Sequence, residues 1–288
     1  MVLSELRLNL TVVIPTRNRA EAVRRLVKQL KDLNCEIIVV DDCSEQPVDV
    51  DGARIIRNTQ RLGSGESRNA GCKQAEHDSL LFLDDDLVPS LGLTRFIDQL
   101  LPRLRTKDVV GFRIVGSNAI GSSTVNYRNI GISRVLNILF GVDISPHSGP
   151  SRFVPSAMIF QSEFFASLGG FDSRRYAGNG FREESDLQWR ARKMGARLVY
   201  IEDPHFRHLN ISGGHQKGGR ENEIYFMRNQ TIFALRSSSL ASLVMIASFG
   251  AYLLVKGIQI STLVRGVAQG LATVLQGLPR DNHGYIEN

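Results

Sequence analysis

The chain has 288 residues, of which 42% are hydrophobic and 22% are charged. This composition argues against a disordered chain and favours one large α/β domain with a smaller appendage. The net charge of +6 suits an anionic partner, such as a nucleic acid, an acidic membrane surface or a phosphorylated substrate. Because the basic residues are scattered and no nucleic-acid-binding motif interleaves them with aromatic residues, the sequence predicts no nucleic-acid partner.

The cysteines and the N-terminus bear on the compartment. Cys35, Cys43 and Cys72 have no metal-ligand spacing, and their odd number argues against a disulfide framework. A reducing compartment fits them. No signal peptide is predicted, because Glu5 and Arg7 interrupt what would have to be an apolar core. We therefore expect the catalytic part to be cytoplasmic.

Predicted strands and helices alternate through the first third of the chain. The β-branched run 10–14 predicts a strand, and the apolar residues at helical spacing in 20–33 predict the helix that follows. Similar patterns predict three further strands, at 36–40, 53–57 and 80–83, and a helix at 68–75. This alternation is typical of right-handed crossovers and a mostly parallel sheet, which binds its ligand at the carboxyl ends of the strands.

The pattern is less regular in the middle of the chain. Strands are predicted at 109–115, 153–160 and 197–201, and helices at 91–104 and 184–194. Residues 116–149 are interpreted as variable structure on the substrate side. The run 169–172, Gly-Gly-Phe-Asp, predicts a turn, and Gly195 stands in the position of a helix C-cap. The segment 205–220, rich in glycine and histidine, is either a mobile lid or a surface loop without a role.

The C-terminal segment is apolar. Residues 237–255 contain no charge and five serines, and the run barely reaches the roughly 20 residues that span a bilayer. A span, an interfacial helix and a buried helix remain open. From Ile260 to Leu278 the apolar residues recur at the spacing of an amphipathic helix. We interpret residues 236–288 as a membrane-surface anchor appended to a catalytic domain at 1–235, with a homo-oligomer interface as the alternative.

Three consecutive carboxylates, Asp84, Asp85 and Asp86, follow the apolar run 80–83. They lie where a buried strand emerges, and since like charges repel, they need a compensating cation. A divalent metal prefers such oxygen ligands and is most useful where it also holds a diphosphate. The triplet therefore predicts a metal-dependent enzyme acting on a nucleotide-activated substrate, with a solvated acidic turn as the alternative.

Six short segments occur in order between residues 10 and 235. They are VVIPTRN at 12–18, IIVVDDCS at 37–44, SRNAG at 67–71, FLDDD at 82–86, GGFD at 169–172 and EESDL at 183–187. Together they resemble the family 2 glycosyltransferases. The resemblance implies the GT-A fold: an α/β structure with a mostly parallel central sheet flanked by helices, a Rossmann-like nucleotide half and here a C-terminal helical segment. It also implies an inverting enzyme that moves a sugar from a nucleotide-diphosphate sugar to a hydroxyl of a glycan or lipid-linked acceptor.

The resemblance implies which residues bind the donor. The family's base-binding aspartate matches Asp42, which could instead cap a turn. The residues that match the loop over the nucleoside and the wall of the same pocket are Pro15, Thr16, Asn18, Arg68 and Asn69. Arg68 could also pair with a surface carboxylate.

The metal ligands follow from the same comparison of motifs. The triplet matches the family's Asp-any-Asp motif, so Asp84 is expected to face the ribose or the metal. Asp86 is expected to coordinate Mg²⁺ or Mn²⁺ bridging the diphosphate, with Asp85 in the donor pocket or simply solvated. His208 matches a late metal ligand, and a structural histidine is the alternative.

The presumed general base of the family matches Glu184. The chain carries a glutamate where the usual residue is an aspartate, and the longer side chain leaves Glu183 open as the alternative base, because geometry decides a base before its pKa does. Asp186 is expected to orient the motif or to cap the helix that follows. Arg228 is a further candidate for a phosphate contact.

Two other functions stay open on the sequence. A noncatalytic sugar-nucleotide-binding protein would keep the pocket but not the chemistry, and the retained acids at both sites argue against it. A sugar nucleotidyltransferase would need a glycine-rich phosphate loop after the first strand, and residues 15–18 contain no glycine.

Overall fold

The computed structural model describes residues 7–116, 148–176, 178, 180–209, 211, 219–237 and 242–276. Within these ranges nine strands form one sheet. The strands are β1 Leu10–Thr16, β2 Glu36–Asp41, β3 Arg54–Arg57, β4 Ser79–Phe82, β5 Leu87–Pro89, β6 Asp108–Val115, β7 Gly149–Pro150, β8 Met158–Gln161 and β9 Arg197–His208. The α-helices are α1 Ala20–Leu30, α2 Ser64–Lys73, α3 Leu93–Leu100, α4 Ser162–Ser167, α5 Glu183–Lys193, α6 Arg220–Ser237, α7 Ser242–Val255 and α8 Ile260–Leu275.

The strand order is β3-β2-β1-β4-β8-β6-β9-β5, with β7 also pairing with β9. Strands β3, β2, β1 and β4 are all parallel, as predicted for the nucleotide half. Beyond them the sheet is mixed, because β8 is antiparallel to both β4 and β6, and β5 and β7 are antiparallel to β9. The fold is therefore a parallel Rossmann-like half joined to a mixed half.

The parallel half brings the acidic residues together. Every residue of β1, β2 and β4 is buried, since helices cover both faces of this part of the sheet. Thr16 ends β1, Asp42 follows β2, and the run 84–86 follows β4. The carboxyl ends of parallel strands meet at one edge, so these polar residues face one crevice, as the sequence predicted.

Strand β1 continues through Pro15, where the sequence predicted its end. In a central strand a proline normally loses a ladder hydrogen bond. Here β4 pairs with β1 only as far as Val13, so the side of Pro15 that lacks an N–H faces no strand partner. The strand can therefore extend to Thr16, beside Asp41.

Two other predicted strands have different bounds. The strand predicted at 153–160 begins only at Met158, because the side-chain amide of Gln188 takes both backbone hydrogen bonds of Val154, at 2.7 Å and 2.8 Å. The strand predicted at 197–201 continues to His208, because β6 and the short β5 both pair with it. The first residues of the predicted loop 205–220 thus belong to β9, and residues 212–218 lie outside the described ranges.

The three C-terminal helices pack on one another. Helices α7 and α8 both lie against α6. Helix α8 approaches α6 so closely at Gly266 that an added Cβ would lie 2.7 Å from Cβ of Met227. Nowhere in the described chain is a helix both long enough and apolar enough to cross a bilayer. The predicted division after residue 235 falls in the last turn of α6 and stays a prediction.

Candidate active site

A cavity of about 700 Å³ opens at the carboxyl ends of the parallel strands. It is bounded by the loops after β1, β2 and β4, by the start of α2, and by residues at the start of α5 and α6. Half of the predicted site residues line it: Pro15, Thr16, Asp42, Asp84, Asp85 and Glu183. These six predicted residues thus lie in one cavity, and their roles in binding and catalysis stay predictions.

Asp42 organises the loop that follows β3. Its two carboxylate oxygens accept hydrogen bonds from the backbone N–H groups of Leu62 and Gly63, at 2.7 Å and 2.9 Å. Oδ1 also accepts from the Asn58 amide at 3.0 Å. Asp42 thus lines the cavity while holding the loop that leads into α2, and its contact with a nucleotide base stays a prediction.

Asp85 is a buried carboxylate of the triplet. Thr16 Oγ1 donates to its Oδ2 at 2.7 Å, and Arg19 Nη1 donates to its Oδ1 at 2.9 Å. Burial raises the pKa of Asp85 to about 6, against the effects of Thr16 and Arg19, which lower it. Asp85 therefore ties the loop after β1 to the acidic triplet and is not a solvated neighbour.

Asp86 and His208 form a candidate metal site. His208 Nε2 lies 3.3 Å from Asp86 Oδ1, and Arg19 Nη1 donates to Asp86 Oδ2 at 2.9 Å. Burial, followed by the negative charge of Asp84, raises the pKa of Asp86. Among the described residues no three His, Cys, Asp or Glu side chains cluster closely enough to hold a metal alone. The pair fits a cation that completes its coordination with phosphate oxygens and water, as Mg²⁺ does.

Arg68 joins the two acidic segments. Its side chain is 2% exposed, and Nη2 forms an ion pair with Asp84 Oδ1 while Nη1 forms one with Glu184 Oε1 at 3.2 Å. Ser156 Oγ donates to the other oxygen of Asp84 at 3.1 Å. Arg68 therefore does not pair with a surface carboxylate. It places Asp84, which follows β4, next to Glu184, the predicted base.

Glu183 is a buried carboxyl group at the cavity wall. The residue is 3% exposed, and no described residue donates a hydrogen bond to its Oε2. A Cβ at Gly65 would lie 2.5 Å from that oxygen, so only glycine leaves room for it in the first turn of α2. Burial, followed by the like charge of Glu184, raises the pKa of Glu183 well above its ordinary value. Burial therefore favours the neutral form of this carboxyl group.

A match to a family model establishes the family of this chain. The model of the family described as glycosyl transferase family 2 matches residues 11–161, which is more than half of the chain. The chain belongs to glycosyl transferase family 2. The resemblance carried by the six segments is thereby confirmed.

A family relative and two solved structures are similar to the chain. The pre-mycofactocin glycosyltransferase of Mycobacterium tuberculosis is 32% identical over 205 residues, which are 67% of this chain and 41% of that protein. The chain thus spans less than half of that relative's length. TarS 1–349 of S. aureus in complex with UDP-GlcNAc has a TM-score of 0.62 at 15% identity, covering 93% of this chain and 82% of that one.

The second solved structure is the mannosyltransferase PcManGT from Pyrobaculum calidifontis in complex with GDP-Man and Mn²⁺. It has a TM-score of 0.52 at 15% identity and covers 94% of this chain and 87% of that one. At identities this low, structural similarity shows the fold alone. It confirms that this family 2 chain has the GT-A fold that the sequence predicted.

Two predicted donor-binding residues hold loops in place. Asn18 adopts a positive φ of 54°, and its Oδ1 accepts a hydrogen bond from Glu45 N–H at 2.8 Å. Both sides of the Asn69 amide bind the backbone of Phe171, each at 2.9 Å, which fixes the turn at 169–172 against α2. Neither side chain is among the described residues that line the cavity. Their direct contact with a nucleotide stays a prediction.

Asp186 fixes the orientation of α5. It is completely buried, and its carboxylate accepts hydrogen bonds from Tyr176 at 3.0 Å and from Arg190 at 2.8 Å, besides an ion pair with Arg236 of α6. These contacts show how it orients the acidic motif. Arg228 does not point to the cavity, because it donates to Arg175 O, to Asn229 and to Thr273 Oγ1 of α8.

The sequence analysis did not identify most of the arginine side chains in the site. Arg17, Arg19, Arg61 and Arg220 all line the cavity. Arg19 has the best-defined role, since one of its nitrogens contacts both Asp85 and Asp86 and the other donates to Ile211 O at 3.0 Å. The sequence analysis took the cation that compensates the triplet to be a divalent metal, whereas in the structure Arg19 supplies part of that positive charge. The separation of 66 residues between Arg19 and Asp85 hid its identity.

Proposed function

We propose that this chain is an inverting glycosyltransferase that moves a sugar from a nucleotide-diphosphate sugar to a hydroxyl group, with a divalent cation. The observation that carries the proposal is the cavity in which strand-end acids, four arginines and the buried Glu183 meet in a chain of glycosyl transferase family 2. A mixed lining of this kind suits a donor that combines a sugar with two phosphates.

The donor is proposed to lie along the strand ends. Pro15 and Thr16 would contact the nucleoside, Asp42 the base, and Asp84 the ribose or the metal. The arginines of the cavity match the phosphates, because guanidinium groups form paired hydrogen bonds with phosphate oxygens. TarS and PcManGT contain UDP-GlcNAc and GDP-Man, respectively, and their shared fold supports a nucleotide sugar here.

Asp86 and His208, with Asp84 beside them, are the residues that would hold Mg²⁺ or Mn²⁺. Such an ion, when bound, stabilises the negative charge that develops on the departing nucleoside diphosphate. Arg19 already neutralises part of the charge on Asp85 and Asp86. The contacts with Arg19 therefore orient these two acids and offset part of the effect of their burial.

Glu184 is proposed as the general base. Its side chain is oriented by an ion pair with Arg68 and is 28% exposed, so it can reach an acceptor hydroxyl and accept its proton. Glu183 is the poorer base, because it is buried and held neutral. The deprotonated hydroxyl would attack the anomeric carbon opposite the leaving group. A single displacement inverts the configuration and needs no covalent intermediate.

The acceptor is proposed to be a glycan or a lipid-linked molecule, and the enzyme to work in the cytoplasm at the inner face of the cell membrane. All three cysteines are unpaired in the structure, which fits a reducing compartment. The acceptor would approach from the side of Glu184, since the donor occupies the strand ends.

The test of this function is the substitution Glu184→Gln. It keeps the size of the side chain and removes the proton acceptor, so sugar transfer should fall by about 10² to 10⁴. Donor binding, followed by a thermal shift, should stay within twofold of the parent chain. Both are measured with a set of UDP, GDP and dTDP sugars and Mn²⁺.

The matched control is Glu183→Gln, which replaces a neutral carboxyl by a neutral amide and should cost far less activity. Normal transfer by the Glu184 variant would contradict the assignment of the base. Donor binding without any transfer or donor hydrolysis by the parent chain would instead favour a noncatalytic sugar-nucleotide-binding protein. Formation of a sugar nucleotide from a nucleoside triphosphate would favour a nucleotidyltransferase.

A further inference from the structure

Helices α7 and α8 expose large apolar side chains along one stripe each. Leu243 is 74% exposed and Leu254 44%, and the two are about three helical turns apart on α7. On α8 the stripe consists of Ile260, Val264, Leu271 and Leu275, which are 67%, 62%, 42% and 82% exposed, respectively. We call the two stripes together the α7–α8 surface. Apolar residues at such spacing normally face a partner.

A groove continues this surface into the protein. It has a volume of about 450 Å³ and lies between the two helices, with Met227 of α6 at its floor. Its lining is apolar and includes Ile246 and Gly250 of α7 and Val267 of α8. The exposed stripes and the groove therefore form one apolar surface and not scattered single residues.

The packing of α8 explains why this surface faces outward. The side of α8 that contacts α6 contains Gly266 and Gly270, where a Cβ would lie 2.7 Å from Met227 and Thr231, respectively. The small residues thus make the contact within the protein. The larger apolar residues, such as Val264 and Leu271, face away from it.

The charges within α7, α8 and the segments that flank and join them have one sign. From residue 237 to residue 276 the sequence contains Lys256 and Arg265 and no aspartate or glutamate. Both basic residues are exposed. A second protein surface does not require this bias, whereas an anionic lipid surface attracts each exposed Lys or Arg by about 1 kcal/mol.

We infer that the α7–α8 surface docks on an anionic lipid bilayer. The apolar stripes would enter the boundary between head groups and acyl chains, the groove would take up an acyl chain, and Lys256 and Arg265 would lie at the level of the lipid phosphates. The helices would lie on the bilayer and not cross it. Charge complementarity selects this occupant over a second copy of the chain.

Docking there would bring the cavity close to the membrane. The Phe249 ring of α7 stacks on the Phe181 ring at 5.4 Å, and Phe181 contacts Phe226 at 5.1 Å. Phe181 lies two residues before Glu183, at the wall of the cavity. The buried side of α7, opposite its exposed stripe, thus packs directly against the segment that carries the acidic motif. A lipid-linked acceptor, which rests on the proposed function, would find its head group near this wall.

The experiment is vesicle co-sedimentation of the chain, with phosphatidylcholine vesicles and with equimolar phosphatidylcholine and phosphatidylglycerol. Two variants test the surface: Leu243→Glu with Val264→Glu, and Lys256→Gln with Arg265→Gln. Leu91→Glu is the matched control, because Leu91 is 98% exposed on a different part of the molecule. Circular dichroism is used to check that each variant is folded.

The parent chain and the Leu91 variant should bind the anionic vesicles equally, and more tightly than the neutral ones. The double glutamate variant should bind at least about tenfold more weakly, since two apolar side chains no longer enter the lipid. The double glutamine variant should also lose about tenfold, on anionic vesicles only.

Equal binding by the parent chain and the double glutamate variant would overturn the inference, as would absence of binding by the parent. A dimer in analytical ultracentrifugation that the double glutamate variant dissociates, without vesicle binding, would show that a second copy covers the surface. Donor binding is measured in the same samples by thermal shift. A chain that binds its donor but not the vesicles refutes only this docking surface, and one that binds only vesicles refutes only the proposed function.

Discussion

The acidic side chains of the site differ mainly in their partners. Asp85 is held by Thr16 and Arg19, Asp84 by Arg68 and Ser156, and Glu183 has a buried oxygen to which no described residue donates. These contacts distinguish residues that look alike in the sequence. Burial raises the pKa of Glu183, whereas Glu184 is partly exposed and forms an ion pair with Arg68.

The neutral state of Glu183 predicts a pH dependence of stability. Folded Glu183 keeps its proton, but in the unfolded chain a glutamate loses it above about pH 4.3. Folding therefore binds a proton above that pH, and this residue makes the free energy of unfolding fall as the pH rises, by up to about 1.4 kcal/mol per unit. Glu183→Gln removes this dependence.

The thermal unfolding midpoint of Glu183→Gln should therefore exceed that of the parent chain by an amount that grows from about pH 5 to about pH 8. Calorimetry of both chains across this range measures the difference. A constant difference at all pH values would show that Glu183 has the same pKa in the folded and unfolded chains.

At the scale of the elements, long and strongly patterned segments were predicted well. Helix α5 begins one residue before its predicted start, and Gly195, at a φ of 85°, ends it as predicted. Helix α2 begins four residues early, at Ser64. The glycines before it indicated a loop, but Gly65 lies in the helix. A glycine is needed there because Glu183, which is distant in the sequence, takes the space that a Cβ would fill.

The packing of α8 on α6 predicts opposite effects for two glycines. Gly266→Ala should lower the free energy of unfolding by about 1 to 3 kcal/mol, because the added Cβ would lie 2.7 Å from Met227 and 2.9 Å from Ile224 O. Gly250→Ala in α7 is the matched control. Its Cβ meets nothing within 4 Å, so the change should be neutral or stabilise the chain by about 0.5 to 1 kcal/mol.

Urea unfolding of the two variants and the parent chain measures both effects. Equal stability of the two variants would mean that α8 does not pack on α6 as closely as described.

For the whole molecule, the sequence predicted the parallel half of the sheet and the edge at which the site lies. The order of the other strands was not predictable, because β8 enters between β4 and β6 from far along the chain, and β5 has only three residues. The same reason applies to the site. Carboxylates at strand ends follow from local pattern, whereas Arg19 and Arg68 reach their partners only through the fold.

We propose that Asp86 helps to hold a cation that binds the diphosphate of a sugar nucleotide. The most direct test is the thermal shift produced by the preferred sugar nucleotide with Mn²⁺, compared with EDTA, in the parent chain and in Asp86→Asn. Asp98→Asn, on an exposed position of α3, is the control for the chemical change. At a donor concentration of about 100 times the dissociation constant, the parent chain and the control should gain about 5 °C or more with Mn²⁺. The Asp86 variant should lose the Mn²⁺-dependent part of this shift, and an undiminished shift in that variant, equal with Mn²⁺ and with EDTA, would contradict the account.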